Sequence, residues 1–264
     1  MAAKLRTVEQ RIEALASRAK GIVTREELIR ADITKAQIEQ RLAIGLLLPV
    51  YRGVYRVGHR AASVEASYMA AVKAGGDGTL LSGLAGGHLL RLVKGKAPPP
   101  EVTTPTERRV RSLKTRQSAA ICRDYGFRWN GIPVTSVPRT LVDLAARLDL
   151  EQLARACHEA GVLHDVTPAM VEPLLAKRPK GAAKLRAVMR GDAKVLLSKL
   201  ERKFQQRLKE AGLPLPVTNK PAGGRRVDCR WPQHNLTVEL QSFTFHNSRY
   251  AWENDQRRQR EAYA

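Results

Sequence analysis

Helix start and stop signals in residues 7–58 constrain the fold more than any other part of the chain. Residues 7–20 carry apolar side chains at helical spacing and end at Gly21, which indicates a first helix. Thr24 is followed three positions later by Glu27, the spacing of a capping box that opens a helix. The sequence therefore predicts a second, short helix directly after the first.

A third helix and a hairpin complete this pattern. Thr34 can cap the helix that follows it, and Gly45 ends that helix. We expect three apolar residues of the helix to pack inward: Ile38, Leu42 and Ile44. Residues 46–58 predict two short strands around a turn at Arg52 and Gly53. Three helices followed by a basic hairpin predict a winged helix-turn-helix domain over residues 1–60.

A winged helix predicts how DNA would be bound. The third helix would lie in the major groove, and the wing would contact phosphate. The polar residues outside the apolar stripe of this helix are Lys35, Gln37, Gln40 and Arg41. In the wing, Arg52 and Arg56 are the predicted phosphate contacts. The alternative interpretation is that these side chains form only the solvated face of a helix.

Charge points to a polyanionic partner. The 264 residues include 46 Lys and Arg against 25 Asp and Glu, a net charge of +21. Such an excess is usual where a polyanion is bound, and we expect double-stranded DNA. A ribosomal or other RNA-binding protein would account equally well for the charge alone.

Several localisation signals are missing from the sequence. No apolar run approaches the roughly 20 residues of a membrane span, and the N-terminus has no apolar segment of the kind that directs secretion. The three cysteines are widely spaced, without a metal-ligand pattern. We therefore expect a cytoplasmic protein without membrane contact.

Residues 61–190 predict a mostly helical middle region. Helices are expected at 63–74 and from Ser82, and a strand at 102–106 follows a proline-rich connector. Arg139 and Asp143 are four positions apart on a predicted helix, so they can form an ion pair. A basic run follows the strand: Arg108, Arg109, Arg111, Lys114 and Arg116. It indicates either a solvated loop or a second contact with the DNA backbone.

Two carboxylates stand out in the C-terminal part of this basic chain. Asp228 and Glu239 lie on two predicted strands joined by a turn at residues 231–235, and Gln241 follows on the same face as Glu239. An antiparallel hairpin can bring the two carboxylates together. Converging carboxylates are suitable ligands for Mg²⁺.

The N-terminal region resembles the AbiEi-type antitoxins of type IV toxin-antitoxin systems. The resemblance covers about residues 8–60 and lies in residues 21–28 (GIVTREEL), 38–42 and 51–58 (YRGVYRVG), with a weaker extension to about residue 150 that includes residues 131–145. Members pair a winged helix with a C-terminal domain and are thought to repress their own operon. The resemblance implies DNA binding and a cognate toxin partner.

The C-terminal region resembles PD-(D/E)XK nucleases, and more narrowly a domain family related to very-short-patch mismatch repair endonucleases. The matching segments are residues 198–201, 211–214, 226–228, 231–232, 238–240, His246 and 255–258. The resemblance implies that Glu201, Asp228 and Glu239 hold Mg²⁺. Gln241 would orient a water, and His246 would either protonate the leaving group or contact the scissile phosphate. Arg257 and Arg258 would hold phosphates.

Two departures from that family bear on activity. Relatives usually carry Asp at the position of Gln241, and a neutral amide neither binds a metal strongly nor acts as a base. Relatives also continue with a further strand and helix beyond the point where this sequence ends. We therefore expect a domain that is truncated, degenerate or completed by a partner.

The sequence thus predicts an α+β multidomain protein. Its expected parts are a winged helix (1–60), a mostly helical middle region (61–190) and a restriction-endonuclease-like α/β domain (191–264). Two functions remain open: a DNA-binding regulator with a Mg²⁺-dependent endonuclease domain, and a non-catalytic antitoxin or repressor with a degenerate nuclease fold.

Overall fold

Three short helices open the chain in a computed structural model, which describes residues 7–58, 63–190, 203–222 and 225–238. They are α1 (Val8–Ser17), α2 (Arg25–Arg30) and α3 (Lys35–Ala43). Each begins at a threonine whose hydroxyl accepts a backbone N–H while the side chain three positions later bonds back to the threonine N–H. These capping boxes satisfy the free amides of the first turn. The three predicted helices are confirmed.

A three-stranded antiparallel sheet completes residues 7–58, and the order of helices and strands is the one expected for a winged helix. Its strands are β1 (Ile22–Thr24), β2 (Leu47–Tyr51) and β3 (Val54–Val57), in the order β1-β3-β2. The predicted hairpin is therefore confirmed, with its turn at Arg52 and Gly53. Strand β1 was not predicted, because three residues between a glycine and a capping threonine are too short to show alternation.

The core of the winged helix lies between the helices and one face of this sheet. It consists of Ile12, Ala16, Val23, Leu28, Ile33, Ile38, Leu47 and Tyr55. The prediction that Ile44 packs inward is wrong, because its side chain is 64% exposed. Ile44 follows the end of α3 and stands six positions after Ile38, about 240° around the helix.

Helix α4 (Val64–Gly75) packs against all three strands of the winged-helix sheet. Two ion pairs reinforce this packing. Lys73 Nζ lies 2.5 Å from Glu27 Oε1 of α2, and Lys20 Nζ lies 2.8 Å from Glu65 Oε2 of α4. The winged helix and α4 belong to one compact unit, Met1–Asp143; the second unit is Leu144–Ala264.

A mixed five-stranded sheet follows α4. Its strands are β4 (Leu80–Leu81), β5 (Glu101–Thr104), β6 (Lys114–Gln117), β7 (Gly126–Trp129) and β8 (Ile132–Thr135), in the order β6-β5-β4-β8-β7. The β5–β6 and β4–β8 pairs are parallel, and the other two pairs are antiparallel. The helices of this region are α5 (Gly83–Leu89), α6 (Ala119–Asp124) and α7 (Val137–Ala145).

The prediction of a mostly helical middle region is therefore wrong for residues 80–135. These strands are only two to four residues long, so their alternation does not rise above the apolar background. The strand around Val102 and the helix after Ser82 were predicted and are confirmed. The Arg139–Asp143 ion pair is also confirmed, and Arg116 of β6 joins it at 3.0 Å from Asp143 Oδ1.

The second unit begins with helices and ends, in the described residues, with a small sheet. Its helices are α8 (Leu150–His164), α9 (Pro168–Val171), the 3-10 turn Glu172–Leu175, α10 (Ala182–Met189) and residues 203–210. The strands are β9 (Val217–Ala222), β10 (Arg225–Trp231) and β11 (Leu236–Val238), in the order β11-β10-β9.

The predicted C-terminal hairpin forms as far as the structure describes it. Strands β10 and β11 pair antiparallel, with Cys229 opposite Val238. A 3-10 turn at Pro232–His234 connects them. One face of the hairpin is buried through Cys229 and Trp231, which pack with Leu208. Phe204 and Val238 are partly buried against them. The three-domain division at residues 60 and 190 stays a prediction.

Candidate nucleic-acid interface

One face of α3 is free of packing and is mainly polar. Lys35, Ala36, Glu39, Gln40 and Ala43 are all exposed, and their spacing of three to four residues places them along one side of the helix. Ile38 points to the opposite side and is fully buried. A helix with one side anchored in a core and one side presenting short polar groups can enter the major groove.

Two of the predicted base-reading residues instead hold α3 in place. Arg41 is only 8% exposed, and its guanidinium donates to the Gln37 carbonyl at 2.8 Å and to Glu9 Oε1 of α1 at 2.5 Å. Gln37 is half-buried, and its side-chain oxygen accepts from the Thr34 N–H at 3.0 Å. Both side chains therefore make hydrogen bonds within the domain. Arg41 can do so because it lies only about 60° from the buried Ile38 around the helix.

The Arg41 bond also sets the titration of its partner. The hydrogen bond from Arg41 holds the pKa of the Glu9 carboxyl below its ordinary value. Glu9 is therefore ionised at neutral pH, and the bond between α1 and α3 is charge-assisted.

The wing presents Arg52 at its tip. Arg52 is exposed in a two-residue turn with Gly53. Gly53 has a φ of 71°, a conformation that strongly favours glycine. Its carbonyl accepts from the Arg25 N–H at 2.8 Å, which ties the wing to the first residue of α2. Arg52 is consequently a cation held at a fixed distance from the helices.

Arg56 occupies a different position from Arg52. It lies in the central strand β3, opposite Ile22 of β1 and Leu48 of β2. Because strand residues alternate, Arg56 faces away from the side on which Tyr55 joins the core, toward the face covered by α4. Its Nε is buried without a hydrogen-bond partner in the described chain. The structure does not place Arg56 at the tip with Arg52.

Sequence reasoning missed Glu39 as part of this face. Its side chain is 69% exposed and lies 3.8 Å from Arg25 of α2. Glu39 stands four positions after Lys35, so helical spacing alone could have identified it. A glutamate in the major groove can accept a hydrogen bond from the cytosine amino group.

The predicted nuclease site lies almost entirely outside the described residues, so it stays a prediction. Asp228 lies in β10, next to Cys229, which pairs with Val238. The other predicted residues lie outside the described ranges: Glu201, Glu239, Gln241, His246, Arg257 and Arg258. Within those ranges, no cluster of three His, Cys, Asp or Glu side chains could hold a metal ion.

Of the comparisons with known proteins, one concerns the N-terminal region. No curated protein is significantly similar to this chain. A crystal structure of the RV2827C protein from Mycobacterium tuberculosis matches with a TM-score of 0.43 and 16% identity, over 70% of this chain and 78% of that one. None of the described helices is both long and apolar enough to cross a membrane. Residues 10–58, which include most of the winged helix, match the family described as "Transcriptional regulator, AbiEi antitoxin".

Proposed function

We propose that this protein is a DNA-binding transcriptional regulator of the AbiEi antitoxin type. The observation that carries the proposal is the exposed polar face of α3 beside a wing whose tip presents Arg52. Both features lie in the segment that matches the regulator family. The net charge of +21 is consistent with a nucleic-acid partner.

Helix α3 supplies the groups that read sequence. Gln40 can form two hydrogen bonds to adenine, and Lys35 can donate to the guanine O6 and N7 acceptors. Glu39 adds an acceptor between them. Each well-formed pair of such bonds discriminates against a wrong base by about 1–3 kcal/mol. Lys35, Glu39 and Gln40 therefore set the specificity in this proposal.

The wing supplies contact with the backbone. Arg52 would neutralise one phosphate beside the groove that α3 occupies. Capping at Thr34 and the Arg41–Glu9 bond fix α3 before DNA arrives. Little conformational entropy of the protein is then lost on binding, and this favours high affinity.

The proposal includes repression of the operon that encodes the protein and a cognate toxin as partner. The support is the matched family, which is described as an antitoxin as well as a regulator. Magnesium-dependent cleavage stays a prediction of the C-terminal resemblance, since its residues other than Asp228 lie outside the described structure.

The test begins by selecting binding sites from random duplexes with the full chain, alongside DNA from upstream of its own gene. Fluorescence anisotropy then gives Kd for the selected duplex. We expect Gln40→Ala to weaken binding roughly 10- to 100-fold, from the loss of about 1–3 kcal/mol, and to relax the preference at one base pair.

Lys96→Ala is the control, because Lys96 is exposed and lies in the connector before β5, outside residues 7–58. It should bind as the wild type does. The proposal fails if no duplex is enriched, or if Gln40→Ala and Lys96→Ala bind the selected duplex equally well.

A further inference from the structure

A cationic loop lies outside the winged helix and is unused by the function described so far. This basic loop, residues 107–114, joins β5 to β6 and contains Arg108, Arg109, Arg111 and Lys114. Glu107 is its one acidic residue, and it pairs with Arg109 at 3.2 Å while both side chains remain largely exposed. An exposed pair of this kind contributes little to stability.

The basic loop differs from the neighbouring charges that stabilise the fold. Arg116 bonds to Asp143, whose side chain is 3% exposed, and Arg139 completes that cluster. By contrast, Arg108 and Arg111 are exposed and have no ion-pair partner within the described ranges. Arg108 and Arg111 therefore carry charge that no acidic side chain in the described ranges compensates, which favours a polyanionic ligand.

The loop is held against the turn that follows α4. A Cβ added at Gly76 would lie 3.2 Å from Arg108 Nη2, and one added at Gly78 would lie 3.3 Å from Pro105 Cγ. The guanidinium of Arg108 therefore rests over the backbone of Gly76. These contacts fix where the loop begins.

The same turn also reaches α2 of the winged helix. Lys73, in the last turn of α4, bonds to both carboxylate oxygens of Glu27 at 2.5 and 2.6 Å. The pKa of Arg30 is raised first by its bond to Glu26, and the charge of Asp77 adds to this. The end of α4 thus contacts both α2 and the basic loop, all within one compact unit.

We propose that the basic loop is a second phosphate-binding surface that extends the DNA footprint beyond the site read by α3 and the wing. This inference rests on the proposed function. In a helix-turn-helix the first helix crosses the phosphate backbone, and α2 is that helix here. A cationic loop fixed beside α2 meets phosphates that flank the groove, and those contacts carry no sequence information.

Salt dependence of binding tests the proposal, because each neutralised phosphate adds about 0.9 to the slope of log K against log salt. The test variant is Arg108→Gln/Arg109→Gln/Arg111→Gln in the full chain. Lys114 is kept, because it lies 3.4 Å from the buried Glu101. The control, Lys177→Gln/Arg178→Gln/Lys180→Gln, removes the same charge from exposed positions of the second unit.

Kd is measured on two duplexes that share the selected site: one trimmed to the minimal site, and one extended by about ten base pairs on each side, roughly one helical turn. On the long duplex we expect the loop variant to lower the slope by about 2–3 and to bind roughly 10- to 100-fold more weakly at low salt. On the short duplex we expect wild-type and loop variant to have similar slopes. The control should match the wild type on both.

Three outcomes would overturn the inference. Equal slopes for wild type and loop variant on the long duplex would leave the proposed function standing and remove the second surface. Weaker binding of polyglutamate, with duplex binding unchanged, would reassign the loop to an acidic protein partner. Failure of the wild type to bind any duplex would instead remove the proposed function, and this inference with it.

Discussion

The two hairpins of this protein differ in what function would require of them. The β2–β3 hairpin needs only a cation at its turn and a fixed position beside α3, and both are present in Arg52 and the Gly53–Arg25 hydrogen bond. The β10–β11 hairpin would need carboxylates from several elements to converge on a metal. Of those residues only Asp228 lies in the described chain.

A hairpin sequence therefore indicates function best when the function depends on a few neighbouring residues. A phosphate contact depends on one side chain and one turn, and the turn follows from the glycine at position 53. A metal site depends on separate parts of the chain meeting within a few tenths of an ångström.

The largest effects should come from removing the buried aromatic residue of each hairpin. Tyr55 and Trp231 are both at most 6% exposed, so replacing either with Ala should lower the free energy of unfolding of its own region by about 3–5 kcal/mol. Tyr55→Ala should abolish operator binding, whereas Trp231→Ala should preserve it. Thermal unfolding with limited proteolysis and anisotropy measures both effects. Loss of operator binding in Trp231→Ala but not in Tyr55→Ala would show that DNA binding requires the C-terminal hairpin and not the N-terminal one.

A smaller effect is expected from Arg41→Met, which keeps an apolar stem but removes the bonds to Gln37 and Glu9. We expect a loss of about 1–2 kcal/mol in unfolding free energy, because hydrogen bonds to charged groups contribute about 1.5–3 kcal/mol and the exposed Glu9 is rehydrated. Urea unfolding measures it. An unchanged midpoint with abolished DNA binding would show that Arg41 contacts DNA instead.

The two wing arginines should separate in their salt dependence. Arg52→Gln should lower the salt slope of operator binding by about 1, as expected for the loss of one phosphate contact. Arg56→Gln should leave that slope unchanged, because Arg56 faces α4. The slopes come from anisotropy titrations between low and moderate salt. Equal decreases in the salt slope for the two variants would show that both arginines contact DNA.

The smallest effect concerns pH. The folded pKa of Glu9 is depressed by Arg41, so the stabilisation from this pair is present above the ordinary value of 4.5 and is lost as pH falls through the folded pKa. Wild-type unfolding free energy should therefore drop more between pH 6 and pH 3 than that of Glu9→Gln. Parallel pH profiles for the two proteins would show that the pair does not stabilise the domain.

Local signals predicted the winged helix well and the middle region poorly. Thr24 and Thr34, each followed by a capping side chain three positions on, gave the starts of α2 and α3. The hairpin followed from Arg52 and Gly53. In contrast, β4 is two residues long and pairs with β5 and β8, which come from distant parts of the chain. Such pairing is fixed by tertiary contacts and leaves little periodic signal.

Within the candidate interface, sequence reasoning found the correct helix but not all of its roles. Lys35 and Gln40 are exposed, as expected for groups that contact DNA. Arg41 was expected on the same face, yet it lies close enough to the buried stripe to be drawn toward Glu9 of α1. A long cationic side chain at the margin of a core can turn either way, and only the position of α1 decides between them.

Methylation interference tests the central claim most directly, because dimethyl sulfate modifies guanine N7 in the major groove, where α3 is proposed to read bases. The selected duplex is partially methylated, bound by wild type or Gln40→Ala, and the bound and free strands are compared. We expect methylation at a few adjacent guanines in the site to prevent wild-type binding. Uniform binding regardless of which guanine is methylated would contradict the proposed role of α3, because Lys35 could then not be contacting guanine N7 in the major groove.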